Sequence, residues 1–466
     1  MGALRASGHR FTSVKDEVRQ NLIARLRAGD DPFPGILGFD QTVRPHLERA
    51  LIAGHDVILL GERGQGKTRL IRTLTGLLDE WSPVIAGCEI NDHPYAPACV
   101  RCRRLAAELG DELPVTWRHR DERYGEKLAT PDTSVGDLIG DIDPVKVAEG
   151  RTLGDPETIH YGLVPRTNRG VFCLNELPDL AERIQVSLLN VLEERDIAVR
   201  GYALRLPLDI MLLASANPED YTNRGRIITP LKDRFGAEIR THYPLSLDDE
   251  LAVVRQEAEI AWGNSGSAGD AQDAVLPPHL IEVIARFTRL VRSSPAVDAR
   301  SGVSARFAIA ATEAVVAAAV RRAAIGGEDQ PVARICDLPA VVSTLRGKVE
   351  FEVSEEGREA EVLEHLLRRA TADTFRAHLG SADLSGLVAR FAEGASVESS
   401  DLLPAAELLR RIGEVPGLAR IMERLDGGGG ESFGQAAAAL EFALEGLYLM
   451  RRLSKDTVDG GTVYRS

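Results

Sequence analysis

The chain has 466 residues, 44% hydrophobic and 27% charged, which is the composition of an ordinary folded protein with room for several domains. Its net charge of -14 argues against a general nucleic-acid surface, so a nucleic-acid partner is not expected. Residues 1–30 hold no apolar signal core, and no stretch reaches the roughly 18 uncharged apolar residues that span a membrane, so we predict a cytoplasmic protein without a membrane partner.

Two helices are predicted ahead of the first strand. The pattern favours an amphipathic helix over residues 12–27 and a second one from Val43 to Leu51 that ends before Gly54. The apolar run Val57 to Leu60 then predicts a short buried strand.

The most informative stretch follows this strand. It has the pattern G-x-x-x-x-G-K-T and consists of Gly61, Glu62, Arg63, Gly64, Gln65, Gly66, Lys67 and Thr68. A helical apolar pattern comes next, so the stretch lies between a strand and a helix, as a phosphate-binding loop requires. Glycines let backbone N–H groups surround phosphates, Lys67 would bridge the β- and γ-phosphates, and Thr68 would bind Mg²⁺. A glycine turn that binds nothing is the alternative, but motif and context together favour a nucleotide site.

An irregular segment, residues 88–102, carries three of the five cysteines and follows a strand predicted at 84–86. Its two prolines exclude a regular element and indicate an insertion loop. Cys99 and Cys102 have the C-x-x-C spacing of metal ligands, and Cys88 and His93 would complete a tetrahedral, structural Zn²⁺ site. No second closely spaced pair is present, so buried and inert thiols are the alternative.

The strand predicted from Val171 to Leu174 ends at two polar residues, Asn175 and Glu176. Before it, residues 103–170 predict a short helix and turn-rich functional loops. In phosphoryl-transfer enzymes a strand beside the phosphate loop delivers a Mg²⁺-holding carboxylate and a base for water. Glu176 suits that base, and a helix-capping carboxylate is the alternative.

A second buried strand, Ile210 to Ala214, leads to Asn217, which stands before Pro218. The Asn217 amide would orient the same water, whereas Asn before Pro is also an ordinary turn, and spacing alone does not decide between them. A helix over 184–192 and a β-hairpin over 197–206 are predicted between the two buried strands, and a last strand covers 238–240.

From Ser246 onwards the pattern is helical. A capping box of Ser246 and Asp249 begins a helix that runs to Trp262, and further helices follow at 277–291, 303–325 and beyond 355. A polar loop at 263–274 and a four-glycine hinge at 427–430 interrupt them. The predicted fold class is therefore α/β, a parallel sheet followed by helical domains.

The order of these motifs resembles the AAA+ ATPases, and within them the magnesium-chelatase I-subunit and MoxR branch. The resemblance rests on the phosphate loop, Asn175-Glu176, the strand ending at Asn217, Leu231–Gly236 and Gly302–Arg306, and it covers roughly residues 36–325. We accordingly expect an N-terminal helical segment at 1–35, an α/β ATPase core at 36–244, a helical lid domain at 245–350 and a C-terminal helical region at 351–466.

The resemblance also implies roles for single residues, with ATP and Mg²⁺ as the ligands. Glu176 would be the catalytic glutamate and Asn217 the sensor of the γ-phosphate and water. Arg234 would be the arginine finger acting on ATP held by a neighbouring subunit, and Arg306 the sensor arginine of the lid. Surface salt bridges are the alternative for both arginines. The family has Asp-Glu where this chain has Asn175-Glu176, and a neutral amide predicts weaker Mg²⁺ binding, through water, and slower hydrolysis.

As a whole, the resemblance implies an ATP-driven homo-hexameric ring that remodels a partner protein carrying a von Willebrand factor A domain. One alternative is a genuine magnesium-chelatase ATPase subunit of porphyrin metallation. Another is a nucleotide-regulated scaffold with little hydrolysis, which Asn175 makes plausible. A transcription activator or a helicase motor would share the core, but the sequence shows no helix-turn-helix or basic stripe.

Overall fold

The structure, a computed structural model, describes residues 1–148, 158–193, 197–199, 202–204, 206–217, 226–258, 274–298, 302–426, 432–458 and 461–466. These residues form two compact units, Met1–His242 and Tyr243–Ser466. The glycine hinge predicted at 427–430 and the polar loop predicted at 263–274, except Ala274, lie outside the described residues.

The first unit combines strands and helices. Its strands are β1 (Val57–Leu60), β2 (Trp81–Ile85), β3 (Val115–His119), β4 (Tyr124–Leu128), β5 (Gly140–Ile142), β6 (Ile159–Tyr161), β7 (Gly170–Asn175), β8 (Ile197–Val199), β9 (Tyr202–Leu204), β10 (Ile210–Ala216) and β11 (Ala237–Arg240). Its α-helices are α1 (Gly2–Ala6), α2 (Val14–Ala28), α3 (Val43–Ile52), α4 (Lys67–Thr73), α5 (Val100–Leu109), α6 (Val135–Leu138), α7 (Pro144–Ala148), α8 (Leu163–Arg166), α9 (Glu182–Glu193) and α10 (Thr229–Arg234). Short 3-10 helices cover Leu74–Leu77, Gly110–Glu112, Arg120–Arg123 and Leu177–Asp179.

The central sheet is parallel, with the strand order β11-β1-β10-β7-β4. Leu60 of β1 pairs with Ala216 of β10, and Leu128 of β4 pairs with Asn175 of β7, so the strands end at a common edge. Ligands of open parallel sheets bind outside the carboxyl ends of the strands. The edge after β1, β7 and β10 is therefore where the phosphate loop, Asn175, Glu176 and Asn217 lie.

Both faces of this sheet are covered by helices. Successive residues of a strand point to opposite faces, so Val57 and Leu59 pack in one core with α2 and α3, whereas Ile58 and Leu60 pack in another with α9. Because neither face is left to solvent, the strands read as continuous apolar runs. The predicted α/β class is confirmed.

The N-terminal segment is an integral part of the first unit. Helix α2 contributes to the core beneath β1, and two ion pairs hold it there. Lys15 pairs with the buried Asp56 at 2.9 Å, and Glu17 pairs with Arg123 at 2.7 Å with both side chains nearly inaccessible. Because removing one partner of a buried ion pair typically costs about 3–5 kcal/mol, these contacts attach α2 firmly to the sheet.

The edge strand of the central sheet lies where the sequence predicts loops. The strand predicted at 84–86 exists as β2, but it pairs antiparallel with β3 in a separate two-stranded sheet. The fifth strand of the central sheet is β4, inside the 103–170 segment. As an edge strand β4 is only half-buried, so it lacks the apolar run that identified β7 and β10.

The second unit is mainly helical. Its α-helices are α11 (Leu247–Glu257), α12 (Pro278–Arg292), α13 (Ala305–Gly326), α14 (Pro339–Leu345), α15 (Glu359–Leu379), α16 (Ser385–Ala392), α17 (Ala405–Ile412), α18 (Leu418–Asp426) and α19 (Phe433–Leu449). Its strands are β12 (Val397–Ser399), β13 (Ser454–Val458) and β14 (Gly461–Arg465), and 3-10 helices cover Ile335–Asp337, Arg346–Lys348 and Val353–Glu355.

These helices share one core, and the capping box of Ser246 and Asp249 begins α11 as predicted. The strands form an antiparallel sheet of order β12-β14-β13, which the helical pattern of the C-terminal third does not predict. The division of the chain into four parts remains a prediction, since the structure separates two units. Among the described helices, none is both long and apolar enough to cross a membrane.

Candidate functional site

The first residue of the phosphate loop has to be glycine. A β-carbon on Gly61 would lie 2.0 Å from Oγ1 of Thr241 and 2.2 Å from Oε1 of Gln65. These two side chains are hydrogen-bonded to each other, with Oγ1 of Thr241 donating to Oε1 of Gln65 over 2.7 Å. Thr241 follows β11, and its N–H donates to the carbonyl of Leu60 over 2.7 Å. The end of β11 therefore holds the loop in place.

Two further glycines give the loop its curvature. Gly64 and Gly66 have φ angles of 72° and 78°, in the left-handed region that side chains other than glycine adopt at a cost. Gly66 is also the N-cap of α4, so the loop ends at the first backbone N–H groups of this helix, which have no acceptor within the helix. Such a cradle of N–H groups suits phosphate oxygens.

Lys67 connects the loop to the end of β10. Its side chain is buried, and Nζ donates to the carbonyl of Gly61, to the carbonyl of Glu62 over 2.8 Å and to Oδ1 of Asn217 over 2.9 Å. An ammonium group has three hydrogens to donate, which matches these three acceptors. The structure thus brings Asn217, itself buried, to the phosphate loop as the site requires.

Asn175 lies at the centre of the hydrogen-bond network. Its Oδ1 accepts from Oγ1 of Thr68 over 3.1 Å and from Oγ of Ser215 over 3.1 Å. Its Nδ2 donates to Oε1 of Glu126 over 2.7 Å. Since the oxygen faces two hydroxyl donors and the NH₂ group faces a carboxylate, the orientation of the amide is fixed. Asn175 and Thr68 are therefore held together, and their role near Mg²⁺ remains a prediction.

Glu126 is a charged member of this network that the sequence analysis did not identify. The guanidinium of Arg72 donates to its carboxylate over 2.9 and 3.0 Å, and the Tyr124 hydroxyl donates over 2.9 Å. Burial acts in the opposite direction, but these hydrogen bonds lower the pKa of the Glu126 carboxyl. The neutral Asn175 side chain is therefore hydrogen-bonded to a carboxylate through its Nδ2 and to Thr68 through its Oδ1.

Glu176 has a strained backbone at the carboxyl end of β7. Its φ is 55°, a left-handed conformation that costs a non-glycine residue about 1–2 kcal/mol. Its N–H donates to Oγ of Ser215 over 3.3 Å. The side chain makes no capping hydrogen bond to the 3-10 helix Leu177–Asp179, so the described segment does not support the capping alternative. Strain of this kind concentrates at functional sites.

The two predicted arginines lie in different units. Arg234 is the last residue of α10 in the first unit, and its side chain is exposed. Arg306 is exposed near the start of α13, in the second unit. The finger and sensor roles of these residues remain predictions.

A cavity of about 380 Å³ borders the phosphate loop. Gly61, Glu62 and Gln65 line it on the loop side, and Lys232 and Arg240 line it on the other. The cavity lies on the β11 side of β1, whereas Asn175, Glu176 and Asn217 follow β7 and β10 on the other side. The cavity and the candidate catalytic groups thus flank the loop.

The cysteine loop has a different ligand set from the predicted one. The sulfur atoms of Cys88, Cys99 and Cys102 and a carboxylate oxygen of Asp92 all lie within 4.8 Å of one another. His93 is not among them, so the geometry of the described residues does not support its predicted place as the fourth ligand.

The two nitrogens of His93 have other partners. Its Nε2 is 3.1 Å from Nε2 of His9, and its Nδ1 accepts from the N–H of Tyr95 over 3.0 Å. Burial, together with the charge of Arg169, lowers the pKa of His93 to about 3, so the ring is neutral.

Comparison with known proteins relates this chain to magnesium-chelatase subunits. It is 28% identical over 235 residues to the magnesium-chelatase subunit ChlI of Nostoc sp., covering 49% of this chain and 59% of that protein. It is 26% identical over 236 residues to the magnesium-chelatase 38 kDa subunit of Cereibacter sphaeroides, covering 48% and 62%. The chain thus spans about three-fifths of the length of these relatives.

Two other comparisons also gave matches. The family model described as the Sigma-54 interaction domain matches residues 152–234. A structure of the complex between the BchI and BchD subunits of magnesium chelatase is 20% identical, covers 72% of this chain and 98% of the matched chain, and has a TM-score of 0.36. Because the TM-score is below 0.5, this likeness adds no argument of its own.

The sequence matches, the parallel sheet and the phosphate loop at its edge agree with the resemblance predicted from the motifs. Over about half of its length the chain is therefore similar to magnesium-chelatase subunits, as the resemblance predicted.

Proposed function

We propose that this chain is an ATP-hydrolysing motor. The observation that carries the proposal is the convergence of Lys67, Thr68, Asn175, Glu176 and Asn217 at one edge of the central sheet, described above from their hydrogen bonds. A loop that binds nothing would not require a buried lysine, a strained glutamate and two buried amides to meet at that edge.

The residues present fit ATP and Mg²⁺. The loop offers backbone N–H groups, and a β-carbon at Gly61 would be forced into Thr241. Lys67 would exchange its carbonyl and amide acceptors for phosphate oxygens, which form stronger, charge-assisted hydrogen bonds. Mg²⁺ supplies positive charge that stabilises the phosphates, and Thr68 with Asn175 would hold it, Asn175 through water.

The remaining residues would act on the attacking water. Glu176 would accept its proton, since it follows β7 at the same edge of the sheet as the phosphate loop. Asn217 would orient that water and sense the γ-phosphate, because its amide already lies at the Lys67 ammonium. Glu126 would supply, through Asn175, the negative charge that the family places directly in the site.

The proposed assembly is a homo-hexameric ring in which Arg234 completes the site of the neighbouring chain. The exposure of Arg234 supports this arrangement, since an arginine that acts on another chain has to reach solvent in the single chain. We propose a partner protein with a von Willebrand factor A domain, for which the support is the family resemblance. A second candidate is the ATPase subunit of a magnesium chelatase, favoured by the names of the relatives.

The decisive variant is Glu176→Gln, compared with wild type and with Glu182→Gln, which changes an exposed glutamate of α9. Glu176→Gln should bind ATP normally and hydrolyse it roughly 10²–10⁴-fold more slowly, the usual contribution of a general base. Ordinary turnover by this variant would remove Glu176 from the role of base. Absence of turnover in the wild type would support the scaffold alternative, and proteins captured by ATP-loaded Glu176→Gln would identify the partner.

A further inference from the structure

One cluster of polar side chains takes no part in the proposed ATPase. It lies between β2 and α5, where Cys88 follows β2, Asp92 stands in the loop, Cys99 is the N-cap of α5 and Cys102 is in its first turn. We propose that these four residues bind one Zn²⁺ in a tetrahedral Cys₃Asp site that stabilises the first unit.

The distances match a single ion. With zinc–sulfur bonds of about 2.3 Å, the ligand atoms of a tetrahedron lie about 3.8 Å apart. The four ligand atoms already lie within 4.8 Å of one another. Small rotations of the side chains, without movement of the backbone, would therefore close the site.

Asp92 provides the second, independent observation. It is 1% exposed, and its Oδ1 has no hydrogen-bond partner among the residues that the structure describes. Its Oδ2 accepts from the N–H of Cys99 over 2.9 Å, which fixes the direction of the carboxylate. A buried carboxylate oxygen without a partner is costly, and a cation held by three thiolates would satisfy it.

Two of the three sulfur atoms accept hydrogen bonds from backbone N–H groups. The N–H of Asp92 donates to Sγ of Cys88 over 3.3 Å, and the N–H of Cys102 donates to Sγ of Cys99 over 3.3 Å. Soft thiolate ligands select zinc over Mg²⁺, so this site would not compete for the ion that accompanies ATP.

The site would be structural, because four protein ligands leave no open position for catalysis. The segment it closes is tied to the chain just before β7. Nδ2 of Asn91 donates to the carbonyl of Arg166 over 2.6 Å, and Nδ2 of Asn168 donates to the carbonyl of Ile90 over 2.9 Å. The zinc would therefore hold residues 88–102 against the entry to the strand that carries Asn175.

The test is the zinc content of the full chain purified without chelators. We expect about one zinc per chain in the wild type and a loss to roughly a tenth or less in Cys102→Ser, since loss even of an outer-shell partner weakens metal sites 10–100-fold. Asp92→Ala should weaken zinc binding at least as much. His93→Ala and Cys336→Ser, a cysteine of the second unit, should retain the zinc of the wild type.

Wild-type protein without zinc would overturn the proposal, as would undiminished zinc in folded Cys102→Ser. Zinc lost in His93→Ala but kept in Asp92→Ala would overturn the assignment of Asp92. If the variants do not fold, Co²⁺ exchanged into the wild type answers the question, because three thiolates produce intense sulfur-to-cobalt charge-transfer bands and tetrahedral visible bands. Their absence would contradict the site. None of these readouts depends on ATP hydrolysis.

Discussion

The phosphate loop and the cysteine cluster are two polar sites of the first unit whose groups are satisfied in opposite ways. At the loop, Lys67 pairs with Asn217 and Thr68 pairs with Asn175, so the protein supplies partners for its own groups. In the cysteine cluster, Oδ1 of Asp92 has no hydrogen-bond partner within the described part of the chain, and three thiols converge on the same space. The first arrangement suits a ligand that is bound and released repeatedly, and the second suits an ion that remains bound.

The difference follows from what each ligand has to do. A nucleotide that is hydrolysed must leave, and a site whose groups can pair again among themselves makes its departure less costly. A structural ion adds its binding free energy to folding, so a site that is satisfied only by the ion is an advantage. The predictions below test this contrast, from the largest expected effect to the smallest.

An Arg234 variant tests whether the ATP site, unlike the cysteine cluster, needs a residue from a second chain. The cysteine cluster takes its four ligands from a single chain, whereas the ATP site is proposed to receive Arg234 from a neighbour. Arg234→Ala should lower kcat roughly 10³-fold or more, the value of an arginine finger, and leave ATP binding intact. Arg183→Ala, an exposed arginine of α9, is the matched control.

Mixing subunits shows whether Arg234 acts on another chain. Arg234→Ala subunits retain Glu176, and Glu176→Gln subunits retain Arg234, so some interfaces of a mixed ring would contain both. ATPase activity should return when the two inactive proteins are combined. Rings shown to be mixed yet still inactive would count against action between chains.

What the sequence could predict follows from where each group lies. β7 and β10 are buried on both faces and read as apolar runs, so Glu176 and Asn217 could be placed at their ends. Glu126 could not, because the half-buried edge strand β4 gives no such run. In the cysteine loop, C-x-x-C spacing identified the thiols, but the spacing does not decide whether Asp92 or His93 lies among them.

Lys67 tests whether the two sites are independent. Lys67→Ala removes charge-assisted hydrogen bonds to phosphate worth about 3 kcal/mol, so ATP affinity should fall roughly 100-fold. Its zinc content should equal that of the wild type, and Lys127→Ala on β4 serves as the control for ATP binding measured by calorimetry. A Lys67→Ala protein that loses zinc as well would show that the two sites fold as one.

Substitution of Asn175 has the smallest expected effect, and it tests the charge next to the proposed Mg²⁺ position. From the sequence alone, Asn175→Asp should lower the Mg²⁺ requirement about tenfold, because charge-assisted hydrogen bonds are roughly twice as strong as neutral ones. The structure changes this expectation. Nδ2 of Asn175 donates to Glu126, and an aspartate there would have no hydrogen to donate. Two carboxylates would then face each other, which raises the pKa of one of them and cancels the gain.

The double variant Asn175→Asp with Glu126→Gln reverses the donor and the acceptor of this hydrogen bond. The glutamine amide would donate to the new carboxylate, and the negative charge would move next to the proposed Mg²⁺ position. We expect a Mg²⁺ midpoint for ATPase roughly tenfold lower in the double variant than in Asn175→Asp, at matched folded fraction. The wild type and both single variants complete the cycle, and the coupling is its departure from additivity. If the effects of the two substitutions on the midpoint were strictly additive, Glu126 would not act through Asn175. Two side chains that share a hydrogen bond should instead show coupled effects when both are replaced.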